Sequence, residues 1–142
     1  MATTSETILE ALKAKLGTIS GAKVARGIVV PTKIPASGLL ILRDGVPGEP
    51  EVTMSPMTWH FEHVAELEIF ASGSPSARLT RFDDLKSAIG TVLAADRTLG
   101  GLCDWVEAQA SASEDLPFDG AADVKAAILP VVLHYATTDP LN

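Results

Sequence analysis

The chain has 142 residues, 46% of them apolar and only 5% aromatic, which is enough for one domain with an aliphatic core. A net charge of −7 and an isoelectric point near 4.8 argue against sequence-specific nucleic-acid binding, which draws on Lys and Arg to neutralise phosphates. The single cysteine, Cys103, excludes an intrachain disulfide, and no apolar run reaches the roughly 18 residues that span a bilayer. Residues 1–6 are polar and lack the basic-then-apolar layout of a signal peptide, so the expectation is a cytoplasmic protein with no membrane partner.

Residues 3–16 read as a helix. Thr3 and Glu6 have the spacing of a capping box, Ile8, Leu9, Leu12 and Leu16 form an apolar stripe, and Gly17 is a stop. A strand is predicted over 23–30, closed by Pro31, followed by a loop to Gly38 and a wholly apolar, buried strand over 39–42. Asp44-Gly45 is a tight-turn signal, and Pro47-Gly48-Glu49-Pro50 extends it, so 43–50 reads as a projecting loop. Its two prolines remove backbone donors and no P-loop lysine is present, which argues against phosphate binding. Residues 51–54 resume as a strand, and Ser55-Pro56 kinks the chain before the most informative stretch.

That stretch is 58–72. Trp59, Phe61, Ala65, Leu67, Ile69 and Ala71 alternate with His60, Glu62, Glu66 and Glu68, the period of a half-buried strand. His63 interrupts the apolar face, and Val64 and Phe70 interrupt the polar one, so part of the polar face is expected to meet another chain or a loop. Residues 72–76 read as a loop and 80–95 as a helix with Phe82, Leu85, Ile89, Val92 and Leu93 inward. Asp83 and Asp84 then fall in its first turn, and Gly90 offers a close approach to the sheet. A strand over 102–110 places Cys103 and Trp105 on one face, completing a strand–helix–strand crossover of undetermined direction. Residues 111–121 read as an acidic loop and 124–137 as the last strand, with Pro130 requiring an edge or a bulge. The predicted fold class is α+β: a single mixed, mostly antiparallel β-sheet with two helices packed on one face.

Few residues suggest chemistry. His60, Glu62, His63 and Glu66 have metal-ligand types, with His134 as a conceivable neighbour, but ligands spread along one strand do not converge as a zinc site requires. Cys103 beside Asp104 lacks any nucleophile motif and reads as a small buried hydrophobe. The carboxylate pairs Glu66/Glu68, Asp83/Asp84 and Glu114/Asp115 read as solvated charge. No catalytic residue, metal or cofactor is expected.

Four stretches together give a resemblance: LLILRDGVPGEPEV (39–52), TWHFEHVAELEIF (58–70), LAADRTLGGLCDWVEAQA (93–110) and PVVLHYATTDPL (130–141). They are similar to the tail-completion, or tail-terminator, proteins of tailed phages and prophages, the group that includes the minor tail protein U of lambda-like phages. The resemblance implies a structural virion-assembly protein: an α/β subunit of a homo-oligomeric ring, commonly of six, that caps the tail tube and joins it to the head connector. Under it, the candidate contact residues are His60, Glu62, Glu66 and Glu68 on the charged strand face, as an interface or an acidic lumen for DNA. Arg43, Asp44 and Glu49 on the 43–50 loop, and Glu114 and Asp115 on the 111–121 loop, complete the set. The alternatives are a head–tail joining or neck protein, a small enzyme using Cys103 or the histidines, and a small regulatory ligand-binding domain.

Overall fold

The alternation along 58–71 folds as the longest strand pair of the molecule. In the computed structural model, which describes residues 2–31, 33–110, 113–116 and 124–142, β4 (Thr58–Ala71) runs antiparallel to β7 (Val124–Thr137) from Trp59↔Thr137 to Ala71↔Lys125. On the other flank of β4 lies β2 (Leu39–Val46), and beyond it β1 (Lys23–Arg26), parallel to β2. The short β3 (Glu51–Thr53) pairs with the start of β4, while β5 (Trp105–Ala108) and β6 (Ser113–Leu116) pair with the outer side of β7. The path through the seven-stranded sheet is β1-β2-β4-β7-β5, antiparallel everywhere except β1–β2.

Both helices, α1 (Thr4–Leu16) and α2 (Pro75–Ala95), cover one face. Ile8, Leu12 and Leu16 from α1, with Phe82, Leu85, Ile89 and Leu93 from α2, bury against Leu40, Leu42, Leu67, Ile69, Val131 and Leu133. The predicted α+β class, with a mixed sheet and helices on one face, is the class observed. Since β4 and β5 both run antiparallel to β7, they are parallel to each other, and β4–α2–β5 is a crossover that leaves room for β7 between them. No described helix is long and apolar enough to cross a membrane.

Several expected boundaries are corrected. β1 stops at Arg26, because Gly27 turns the chain at φ +62°. The Asp44-Gly45 turn is absent, and β2 continues through it as a bulge. The ladder shifts register between Arg43 and Val46, resumes at Val46↔Val64 and is taken up by β3 at Glu51↔His60, so β2 and β3 form one interrupted strand beside β4. The projecting turn is therefore 54–57. Helix α2 begins five residues earlier than predicted, with Ser74 accepting from the Ala77 amide and Pro75 filling the first turn, where a missing N–H costs nothing. Asp83 and Asp84 therefore lie beyond its first turn, and Gly90 faces solvent rather than the sheet. In the 102–110 stretch the strand begins only at Trp105, and Val106 faces the core while Trp105 is exposed. Residues 113–116 of the expected acidic loop form β6, and 111–112 and 117–121 lie outside the described residues.

Pro130 is reconciled by topology. It sits in a central strand, but among the described residues β5 pairs with β7 over 131–134 and β6 over 124–127, so 128–130 lie in the gap between those two ladders. The Pro130 carbonyl accepts from the Gln109 amide at 2.8 Å, so the imide nitrogen points to the same side, into the gap where no ladder bond is required.

Candidate functional site

The face of the sheet opposite the helices divides in two. At one end Leu39, Ile41, Phe70, Val124 and Ala126 are sealed by Ile34 and Val30 from the loop after β1. Toward the other end nothing of the described chain covers the sheet. Cross-strand pairing builds its surface: His60 opposite Ala136, Glu62 opposite His134, Val64 opposite Val132, Glu66 opposite Pro130 and Glu68 opposite Ile128. From β5, Trp105 pairs with His134 and Glu107 with Val132. An apolar seam of Val64, Val132, Pro130 and Ile128 thus runs between carboxylates, with Trp105 at its edge. Ile128 and Trp105 are 49% and 44% exposed.

The four predicted strand residues meet on this face. Glu62, Glu66 and His60 are exposed, and His60 Nε2 lies 2.9 Å from the Thr53 hydroxyl. Glu68 is half-buried and joined by the Arg43 guanidinium through Nε at 3.1 Å and Nη2 at 3.1 Å, while Nη2 also donates to the Ile28 carbonyl at 2.8 Å. This two-pronged bond with Glu68, more than the Coulomb attraction beside it, raises the Arg43 pKa. Arg43 therefore belongs to the face and neutralises one carboxylate, leaving Glu62, Glu66 and Glu107 without an ion pair among the described residues. Glu49 joins Glu51, His60, Glu62, Asp104 and His134 around an open groove of about 400 Å³ at one end of the face.

Asp44 does not join them. Its carboxylate accepts from Arg26 Nη2 at 2.8 Å, and Arg26 also holds Glu6 at 2.7 Å and Glu10. Hydrogen bonding to Glu6, foremost, raises the Arg26 pKa, and the same contact lowers that of Glu6. Only half of the predicted capping box exists for this reason: Thr3 accepts from the Glu6 amide at 3.2 Å, but the Glu6 carboxylate is committed to Arg26. Glu114 and Asp115 pair through their backbones with Ala126 and Lys125, eight or more residues along β7 from His134, so they form no common site with His60 and Glu62.

His63 is the residue whose role the sequence concealed. It is buried on the helix-facing side, with Nδ1 2.8 Å from the Tyr135 hydroxyl and Nε2 against the Asp44 carbonyl. A carbonyl only accepts, so Nε2 carries the proton and Nδ1 accepts from Tyr135. Burial raises the Tyr135 pKa, and a hydrogen bond from Ser5 opposes it. Tyr135, His63 and the bulge at Asp44 thus form one chain of bonds tying β7, β4 and β2 together. Its signal in the sequence is a polar residue inside an otherwise apolar alternation.

No three His, Cys, Asp or Glu side chains among the described residues converge as metal ligands. Cys103 is buried, and that burial, followed by the Asp104 charge, pushes its thiol up to about 11, so it is protonated at neutral pH. What this surface offers chemically is contact: fixed negative charge around an apolar seam on a rigid sheet. The sequence matches no protein-family model and no curated protein.

Proposed function

We propose that this chain is a non-enzymatic structural subunit of the tail-terminator type, assembling into a ring, of six subunits by that resemblance, that caps a phage tail tube and meets the head connector. The observation that carries the reading is the uncovered half of the sheet, where exposed Ile128 and Trp105 and half-buried Val64 and Val132 lie beside Glu62, Glu66 and Glu107. A contiguous apolar surface rimmed by charge marks a contact with another macromolecule more often than idle surface. The seam favours an interface over a ring lumen for this face, because a lumen would leave Trp105 and Ile128 wet. The carboxylates then select against anionic neighbours and orient a cationic one.

Light scattering across a concentration series, followed by negative-stain imaging with tail-tube protein added, tests the reading. Rings, or end-caps on tubes, are the expected result, and Ile128→Glu abolishes the cap while leaving the fold intact. A chain that stays monomeric in both conditions overturns it.

A further inference from the structure

The interrupted hairpin β2/β3–β4 ends in the turn 54–57, where Met54 and Met57 are 74% and 45% exposed and Val52 on β3 is equally open. Glu49 and Glu51 lie just behind this tip, exposed and without an ion pair among the described residues. Methionine is the apolar side chain that adapts best to an irregular receptor, and two at one tip form a compact anchor.

A complementary receptor lies at the opposite end of the molecule. Between α1 and β1 runs an open groove of about 440 Å³ lined by Glu10, Lys13, Ala14, Gly17, Ala22 and Val24. Its floor is apolar and made of small residues, Lys13 stands on its rim and the exposed Lys23 beside it, and neither lysine has an ion pair among the described residues. Glu10 is already held by Arg26. Alternate residues of a parallel strand face its neighbour. The Lys23 and Gly27 amides bond to the β2 side, so the Val24 amide and carbonyl point away from the sheet along this groove.

The groove and the tip cannot meet within one chain. Val24 is in register with Leu40 and Ile69, whereas the tip adjoins Thr58. Eleven positions of β4 separate Thr58 from Ile69, about 36 Å at ~3.3 Å per residue. We infer that the 54–57 turn of one copy seats in the α1–β1 groove of the next, with Met54 and Met57 on the apolar floor and Glu49 and Glu51 against Lys13 and Lys23. The occupant is a second copy because acidic tip and basic rim match in charge and lie at opposite ends, the arrangement a head-to-tail contact requires. Such a contact closes into a ring when its rotation divides the circle. This rests on the ring reading above and names the surfaces that join copies around the ring, which leaves the exposed sheet face for the tube or the connector.

The test uses two variants of the full chain, a tip variant (M54E/M57E) and a groove variant (A14E/A22E), each checked for folding by thermal melting. Expected is that each alone is monomeric, with self-association weakened at least about tenfold, as two charges buried in an apolar contact would do. An equimolar mixture, having one intact tip and one intact groove per pair, stops at dimers. In a second arm, E51K weakens assembly and K23E on the same chain restores it. If wild type forms rings and folded tip or groove variants form them equally well, the docking is wrong while the ring stands. If wild type forms no assembly even with tube protein, the ring itself falls.

Discussion

Replacing His63 with leucine isolates the buried chain of hydrogen bonds that joins three strands. His63 is 4% exposed, and its two ring nitrogens meet the Tyr135 hydroxyl and the Asp44 carbonyl. Leucine nearly conserves volume, so the cost arises mainly from two orphaned polar groups at roughly 1–3 kcal/mol each. His63→Leu is therefore expected to destabilise by about 2–6 kcal/mol. Tyr135→Phe leaves one acceptor, Nδ1, without its donor and costs about 1–2 kcal/mol. In the double variant the hydroxyl that His63→Leu would orphan no longer exists, so the two effects fall short of additivity by about 1–2 kcal/mol. Urea unfolding followed by the fluorescence of Trp59 and Trp105 measures all three, provided the denaturant slope is unchanged. Asp44→Ala serves as control, because it removes the carboxylate held by Arg26 but keeps the carbonyl that His63 uses. Additivity within about 0.5 kcal/mol, or a His63→Leu protein as stable as the parent, would refute the hydrogen-bonded role assigned to this histidine.

Three further outcomes are expected. Gly45→Ala should lower thermal stability by several kcal/mol, on the order of 1–2 for the left-handed backbone alone. The added Cβ would also collide with the Val64 carbonyl and lie 2.9 Å from the Ala65 Cα; an unchanged melting temperature would contradict the bulge. The Asp96 carboxyl pKa is lowered by the Gly100 amide first and by Lys15 after it. A lowered folded pKa gives stability that is present above the unfolded value, about 4, and is lost as pH falls through the folded one. The difference in urea midpoint between wild type and Asp96→Asn should thus shrink from pH 7 to pH 3, and a difference that grows on acidification would be the wrong sign. Cys103, with its thiol raised to about 11 by burial, should resist alkylation at pH 8 in the folded protein and react fast in denaturant; rapid labelling of the native state would count against its buried position.

The long strands were legible because alternation is a local signal: Phe61, Leu67 and Ile69 against Glu62, Glu66 and Glu68 specify both face and period. Helix α1 was legible for the same reason through Ile8, Leu12 and Leu16. Asp44-Gly45 misled because the same dipeptide serves a turn or a bulge, and the decision is made by β4, whose pairing is remote in sequence. Ser74-Pro75 misled because both residues are turn formers and also an N-cap with its favoured first helical residue. The uncovered sheet face was half legible. Its carboxylates stand on one strand, but Trp105, Ile128 and Val132 join them only through pairings with β7 that no local pattern encodes.

The two lateral edges of the sheet are finished differently, and the difference bears on the proposed head-to-tail contact. Gln109 faces β7 through its bond to the Pro130 carbonyl, so by alternation Val106 and Ala108 direct their backbone groups outward. There the Arg97 guanidinium donates to the Val106 carbonyl at 2.9 Å and stacks 5.2 Å from the Trp105 ring, capping the strand with a charge. A capped edge resists pairing with another strand. On the opposite side β1 carries no such cap, and its outward groups border the α1–β1 groove. Edge-to-edge extension of the sheet is thereby disfavoured along β5. A directional contact in which a tip on one copy enters a groove on the next needs only the edge that is open.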